Sequence, residues 1–394
     1  MTDIELELKK LKPRQALLDK AVFGNIGILG FDDIENLIKN NIVEMTSSKV
    51  KYITASGQEF NRLLIENDGV IDKMVAGSKL IQNKRVDYCN LETTIKNDKV
   101  GNLACYTLDD YVGRLIEINN HLKNTYGIEA DFSDLTVKEL EINRTFKLAG
   151  NFEDYHRVIN LIMTNLPSYM KNQMDYKKVV KGNTEYQTYY ATSKTTNKSK
   201  RYLLFKIYNK TKAIEHIILI TDSYMRVEFR LVGAEKVKKA LKYNRLAELS
   251  DQIINEYFDN QIKSMIVQPF KKWKQERDKY LVKLMKDERE RDIRHWQTNV
   301  LRILQNEEIA EKRPVLLDIE ELIPLVDKLN LPSKRRSEVK SNFRKQAHKY
   351  ESVFCNNDDA KIQEILDKLT AKDTAETAVN TVIKPTIDGT QKIA

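Results

Sequence analysis

A tyrosine, Tyr208, ends the apolar run RYLLFKIYNK (201–210), with Asn209 and Lys210 directly after it. A second run of the same alternating kind, YMRVEFRLV (224–232), carries Arg226 and Glu228. A third, ELEINRTFKL (139–148), carries Glu139 and Glu141 two residues apart. Side chains along a strand alternate between faces. Glu139, Glu141, Asn143 and Thr145 therefore share one face of the third run, opposite Leu140, Ile142, Arg144 and Phe146. By the same rule Arg226, Glu228 and Arg230 stand opposite Val227, Phe229 and Leu231. Acids contributed by two such strands can converge on a hard divalent cation, because Mg²⁺ and Mn²⁺ prefer oxygen ligands. A strand ending at Tyr208 can hold a phenol over that cation. A phenol attacks a phosphodiester when a metal or cationic group offsets the charge gained by the phosphate. Lys210 and Arg226 are placed by sequence to help. The same residues also suit an ordinary sheet: tyrosine favours strands, and glutamate between arginines makes exposed cross-strand ion pairs.

Other chemistry is poorly provided for. The chain has no phosphate-cradling Gly-Lys-Ser/Thr loop, no Gly-rich dinucleotide turn and no Gly-x-Ser-x-Gly elbow. Its five histidines, at 121, 156, 216, 295 and 348, form no His-x-His or His-x-x-x-His pair. Cys89, Cys105 and Cys355 are scattered and odd in number, which argues against a disulfide framework or zinc cluster and for a reducing, cytoplasmic setting. No run approaches the roughly 18 apolar residues of a membrane span, so no membrane partner is expected. The N-terminus, MTDIELELKKLKPRQ, lacks a secretion-signal pattern. The net charge of +9 favours a polyanionic partner, nucleic acid being the commonest.

The elements that must position these residues are legible from residue 85 onward. VDYCNLETTI (86–95) and GNLACYT (101–107) read as strands around a polar turn. LDDYVGRLIEINNHLKNTYG (108–127) has helical spacing at Tyr111, Leu115, Ile118 and Leu122, with Gly127 as its stop. A strand at 136–148, a helix at 152–166 and strands at 184–193, 201–209 and 224–232 follow. This order predicts an α+β fold, a central antiparallel sheet with helices packed on it. After about 245 the strand signal ends, and 246–310 reads as long amphipathic helices with one break at Pro269. The expected organisation is 1–84, of no assigned role despite the helix-like FDDIENLIKNN (31–41); 85–245, the catalytic domain; 246–311, long helices; 312–371, a small helical module; and 372–394, a poorly ordered tail.

The three runs, in this order, resemble the rolling-circle replication initiators of small Gram-positive plasmids and the related relaxases of conjugative elements. In that family an Arg-Leu-Asp-hydrophobic strand supplies a metal ligand, an Ile-Tyr-Asn/Asp/Glu-Lys strand end carries the nucleophile, and an Arg-Val/Ile-Glu strand supplies another ligand. The matching segments are Glu139-Leu140-Glu141-Ile142, Ile207-Tyr208-Asn209-Lys210 and Arg226-Val227-Glu228-Phe229, within a likeness spanning residues 85–232. The resemblance implies Tyr208 as nucleophile and Glu228 and Glu141 as ligands of Mg²⁺ or Mn²⁺. Glu139 stands where the family has arginine, and Asn143 is a further ligand candidate. It also implies nicking of a single-stranded or hairpin DNA origin, a 5′-phosphotyrosine and a free 3′-hydroxyl. Host helicase and polymerase would act downstream, and a homodimer is compatible with the scheme. Initiation of replication and conjugative transfer share this chemistry.

The C-terminal stretch SKRRSEVKSNFRKQAHKY (333–350) sets Lys334, Arg335, Arg336, Lys340, Arg344 and Lys345 around an apolar stripe of Val339, Phe343 and Ala347. That pattern suits phosphate contacts and equally a solvated basic helix. The rival to a nicking enzyme is a non-catalytic plasmid replication or partition factor that binds DNA through such a helix.

Overall fold

The computed structural model describes residues 15–29, 47–53, 59–66, 68–81, 84–95, 102–103, 105–170, 173–181, 184–193, 202–309, 319–350 and 358–370. The predicted helix at 31–41, the segment 310–318 and the tail 372–394 lie outside these residues. Among the described strands are β1 (Leu17–Gly24), β2 (Gly27–Leu29), β3 (Ser47–Ile53), β4 (Glu59–Glu66), β5 (Lys73–Ile81) and β6 (Lys84–Thr93). They continue with β7 (Glu129–Asp131), β8 (Thr136–Lys147), β9 (Gln173–Lys181), β10 (Thr184–Thr192), β11 (Tyr202–Asn209) and β12 (Tyr224–Val232). The helices are α1 (Leu108–Tyr126), α2 (His156–Thr164), α3 (Lys210–Ile214), α4 (Ala234–Leu241) and α5 (Asp251–Ile262), then α6 (Gln268–Arg291), α7 (Trp296–Ile309), α8 (Ile319–Leu325), α9 (Ser333–Ala347) and α10 (Asp358–Thr370). The fold is α+β, an antiparallel sheet with helices followed by a helical C-terminal region. None of the described helices is long and apolar enough to cross a membrane.

Two compact units share the chain: described residues up to 146 and from 173 to 258 form the first, and 147–170 with 259–370 form the second. In the first unit ten strands lie in the order β3-β4-β5-β6-β1-β8-β12-β11-β10-β9. The residues before 85 thus contribute β1, β3, β4 and β5 to the same sheet that holds the three chemical runs. On one face Leu203, Phe205 and Ile207 of β11 sit opposite Leu231, Phe229 and Val227 of β12, all buried. The Phe205 and Phe229 rings are 5.1 Å apart, and Phe229 meets Phe258 of α5 edge-on at 5.3 Å. Each such ring removed from water contributes about 1.5–3 kcal/mol, which holds α5 on this face. The other face pairs Tyr208 with Arg226 and Lys206 with Glu228. Strand period two predicts this separation, and the register keeps it.

Two local devices set the polar face. In β1 the register with β8 runs Leu17↔Asn143, Leu18↔Ile142 and then Lys20↔Glu141, so Asp19 is the extra residue of a bulge. A bulge places two consecutive side chains against one partner and re-aims the extra one. Beside it, Leu18 and Tyr106 exchange backbone hydrogen bonds of 2.8 and 3.1 Å. This single bridge is all the pairing shown by the described residues of 101–107, which the sequence reads as a strand. Asn102 turns the chain at φ 51°, and Thr107 already caps α1. The cap is a reciprocal box: Asp110 N–H donates to the Thr107 hydroxyl at 3.2 Å, and the Asp110 carboxylate accepts Thr107 N–H at 2.8 Å. Gly127, at φ 65°, stops the helix as its sequence position predicts.

In the second unit the residues Lys263–Val267 form a π turn that runs into α6. Pro269, where the sequence predicts a break, instead follows directly on this π turn in a chain that stays helical, and the widened turn accommodates the residue that lacks an N–H. Leu281, Trp296, Val300, Leu322, Val326, Val339 and Phe343 make the core of α6–α9. Helix α10 is tied to the start of the unit by Glu364, which accepts the Tyr155 hydroxyl at 2.5 Å and Ala149 N–H at 2.8 Å.

Candidate active site

Carboxylate oxygens of Asp19, Glu141 and Glu228, from β1, β8 and β12, lie within 4.8 Å of one another. Three carboxylates at that spacing are a donor set suited to Mg²⁺ or Mn²⁺. Glu141 and Glu228 are the two acids the sequence singles out. Asp19 is not foreseen: it lies in the segment of no assigned role, and its only signal is an Asp-Lys step interrupting LLDKAVFG. Asn143 is buried beside them, with its amide donating to the Leu17 carbonyl at 3.3 Å.

The Tyr208 hydroxyl donates to Glu228 Oε2 at 3.3 Å, which sets the phenol against the trio. Arg226 is fully buried and spends its fork on four acceptors. Nε donates to Thr145 Oγ1 at 2.7 Å and Nη1 to Asp19 at 3.3 Å, while Nη2 reaches the carbonyls of Asn102 at 2.6 Å and Leu103 at 2.9 Å. The guanidinium thereby fixes both the bulged Asp19 and the loop over it. Lys206 pairs with Glu228, and Arg230 pairs with Glu139 and, at 3.1 Å, with Glu141. Lys210 is buried at the first position of α3, behind the Asn209 cap.

Crowded, largely buried charge shapes the protonation states. Burial, and then the neighbouring Glu228, pushes Glu141 up to about 7. Burial and the adjacent Arg226 push Lys210 down to about 7. Burial drives the Tyr208 phenol well above its ordinary value, against the pull of Arg226. Burial would also raise Asp19, but Arg226 and Lys210 hold its carboxyl below the usual range. Tyr111, in the first turn of α1, is fully buried, with the Ile95 backbone beside its hydroxyl and no described acceptor for the hydroxyl's own proton. Burial and the charge of Asp19 keep it protonated, a donor close to the acids. Thr188, across from Tyr208 in register, has a buried hydroxyl likewise without a described acceptor. Neither Tyr111 nor Thr188 is distinguishable by sequence from a core residue.

The six basic residues proposed for DNA contact all lie on α9 in the second unit. Arg344 makes a two-pronged pair with Glu320 at 2.7 and 2.8 Å, and Arg335 pairs with Glu338 at 3.0 Å. Asp327 takes Lys340 at 2.7 Å and Arg336 at 3.7 Å. Lys334 and Lys345 are exposed, and among the described residues no ion pair engages them. Half the apparent basic charge of this helix is thus answered by acids that precede it in the chain.

The sequence matches no protein-family model and no curated protein. Among solved structures the chain is similar to the rolling circle replication initiator protein from Geobacillus stearothermophilus, at a TM-score of 0.30 and 13% identity over 64% of this chain and 85% of that one. It is also similar to the di-domain ARO/CYC StfQ of the steffimycin biosynthetic pathway, at a TM-score of 0.18 and 8% identity over 63% of this chain and 95% of that one. Likeness this slight leaves the functional reading to the geometry of the site.

Proposed function

We propose that this chain nicks and rejoins DNA through Tyr208, with a divalent cation held by Asp19, Glu141 and Glu228. The observation that carries this reading is the hydrogen bond from the Tyr208 hydroxyl to Glu228, itself one of three converging carboxylates. A phenol is a weak nucleophile unless its proton is taken and the phosphate's charge is offset. Glu228 is the first acceptor of that proton. Arg226 supplies fixed positive charge beside the phenol, Lys210, held down to about 7, can carry a proton there or give it up, and the Tyr111 hydroxyl is a spare donor. A bound Mg²⁺ or Mn²⁺ would polarise the phosphate and stabilise its developing charge.

In the step itself the Tyr208 oxygen bonds to phosphorus and the bond to the 3′ oxygen breaks. The leaving oxygen takes a proton and becomes a free 3′-hydroxyl, while the 5′ phosphate remains on the tyrosine. Attack by a 3′-hydroxyl on that phosphotyrosine reverses the step and rejoins the strand. Such a product suits initiation of rolling-circle replication or conjugative transfer, with a host polymerase extending the 3′ end after a helicase opens the duplex. Helix α9, through Lys334 and Lys345 foremost, is the proposed phosphate contact.

End-group analysis tests the polarity. Single-stranded oligonucleotides tiling the DNA around the gene are incubated with protein and Mn²⁺, and the products are offered to a polymerase. The expected product has an extendable 3′ end and a protein-blocked 5′ end. A 3′-blocked product, or binding to one tile with no cleavage, contradicts the proposal, and the latter outcome favours a non-catalytic DNA-binding factor.

A further inference from the structure

Each acid of the trio already has a cation of its own. Asp19 has Arg226 at 3.3 Å, Glu141 has Arg230 at 3.1 Å, and Glu228 has Lys206. The three cations are not held alike. Arg226 is locked by Thr145 and two backbone carbonyls as well. Arg230 is shared with Glu139. Lys206 stands directly across from Glu228 in the strand register, and its ammonium donates to the Glu228 carboxylate. Its side chain keeps 17% exposure whereas that of Glu228 keeps 2%, so part of the lysine reaches solvent while the acid does not. An ammonium on a four-carbon stem is a compact, movable point charge, unlike the fixed fork of arginine.

We propose that Lys206 is the resident cation of the trio, a tethered competitor that a divalent ion must displace. The inference rests on the metal reading given above. A divalent cation entering beside the ammonium meets a like charge at the acid both require, so each weakens the other's hold on Glu228. Swinging outward releases Lys206 at the mouth of the trio, where the proposed reaction places a phosphate. Metal and DNA would therefore each favour the other's binding, and by linkage the effect is reciprocal. Without DNA the metal binds weakly.

Mn²⁺ titration followed by electron paramagnetic resonance, with no DNA present, tests this directly. Lys206→Met should bind Mn²⁺ tighter than the unsubstituted protein by about tenfold or more, whereas Lys206→Arg, which keeps the competing charge, should not. Equal or weaker binding by a folded Lys206→Met overturns the proposal and leaves the metal reading standing. No Mn²⁺ bound by either protein at millimolar concentration overturns both. Should Lys206→Met fail to fold, the unsubstituted protein still answers: saturating Mn²⁺ should speed acetylation of Lys206 by an amine-reactive reagent, read by peptide mass spectrometry. An unchanged or slower rate overturns the proposal. Adduct formation through Tyr208 is read separately, so loss of the nicking reading is distinguishable from either result.

Discussion

At the scale of single residues, the arrangement depends on a guanidinium with no exposure to water. Arg226 is placed in sequence as a helper on a buried-looking strand beside an acid, and its period-two face is correct, but what makes its complete burial possible is not in YMRVEFRLV. The partners that make burial tolerable, Thr145, Asn102, Leu103 and Asp19, come from distant parts of the chain. A buried charge stripped of its partners is strongly destabilising. Arg226→Lys keeps the charge but loses the fork, leaving two carbonyls and Asp19 short of donors. The expected loss is about 3–5 kcal/mol in urea unfolding, and a variant within about 1 kcal/mol of the parent would contradict this role. Lys206 lies in the same run as Tyr208 yet carries no distinguishing signal. Only the strand register reveals that it faces Glu228.

At the scale of elements, what was legible followed periodicity and what was not followed register. Helix α1 is readable from its spacing and Gly127, and the two faces of β8, β11 and β12 from their alternation. The bulge at Asp19 is invisible because it is fixed by the bridge between Leu18 and Tyr106, residues far apart in the chain. Helix α1 is itself anchored by Asp68 in the β4–β5 connection. That carboxylate accepts Val70 and Ile71 N–H at 3.0 and 2.6 Å on one oxygen, and His121 at 2.8 Å and the Tyr126 hydroxyl at 3.0 Å on the other. Burial alone would raise its carboxyl, but the Ile71 N–H, His121 and Tyr126 together hold it below 3.8, the ordinary value. A depressed folded value means stabilisation that is present above the unfolded value and lost as the pH falls through the folded one. Asp68→Asn should therefore cost about 1–3 kcal/mol at neutral pH, with the gap to the parent closing as the pH drops below about 4. A gap that stays constant through that range would contradict the assignment.

At the scale of the whole molecule, the net charge of +9 points to a polyanion but does not say where it binds. Helix α9 looks uniformly basic in sequence, and the structure shows four of its cations engaged by Asp327, Glu320 and Glu338. Lys334→Glu with Lys345→Glu should weaken DNA binding and lower the slope of log affinity against log salt by up to about 2. An unchanged slope would remove α9 from the interface. The sheet that carries the site is likewise a property of the whole chain, since β1, from a segment without readable motifs, supplies a third of the acidic trio. The central claim is that Tyr208 forms a covalent bond to DNA. Its most direct test is to incubate the protein with Mn²⁺ and the cleaved oligonucleotide, then map the adduct by mass spectrometry beside Tyr208→Phe, which removes one oxygen and spares the packing. The account predicts a nucleotide on the peptide containing Tyr208 and no adduct in a variant that still binds the DNA. An adduct on another residue, or cleavage that survives Tyr208→Phe, would contradict it.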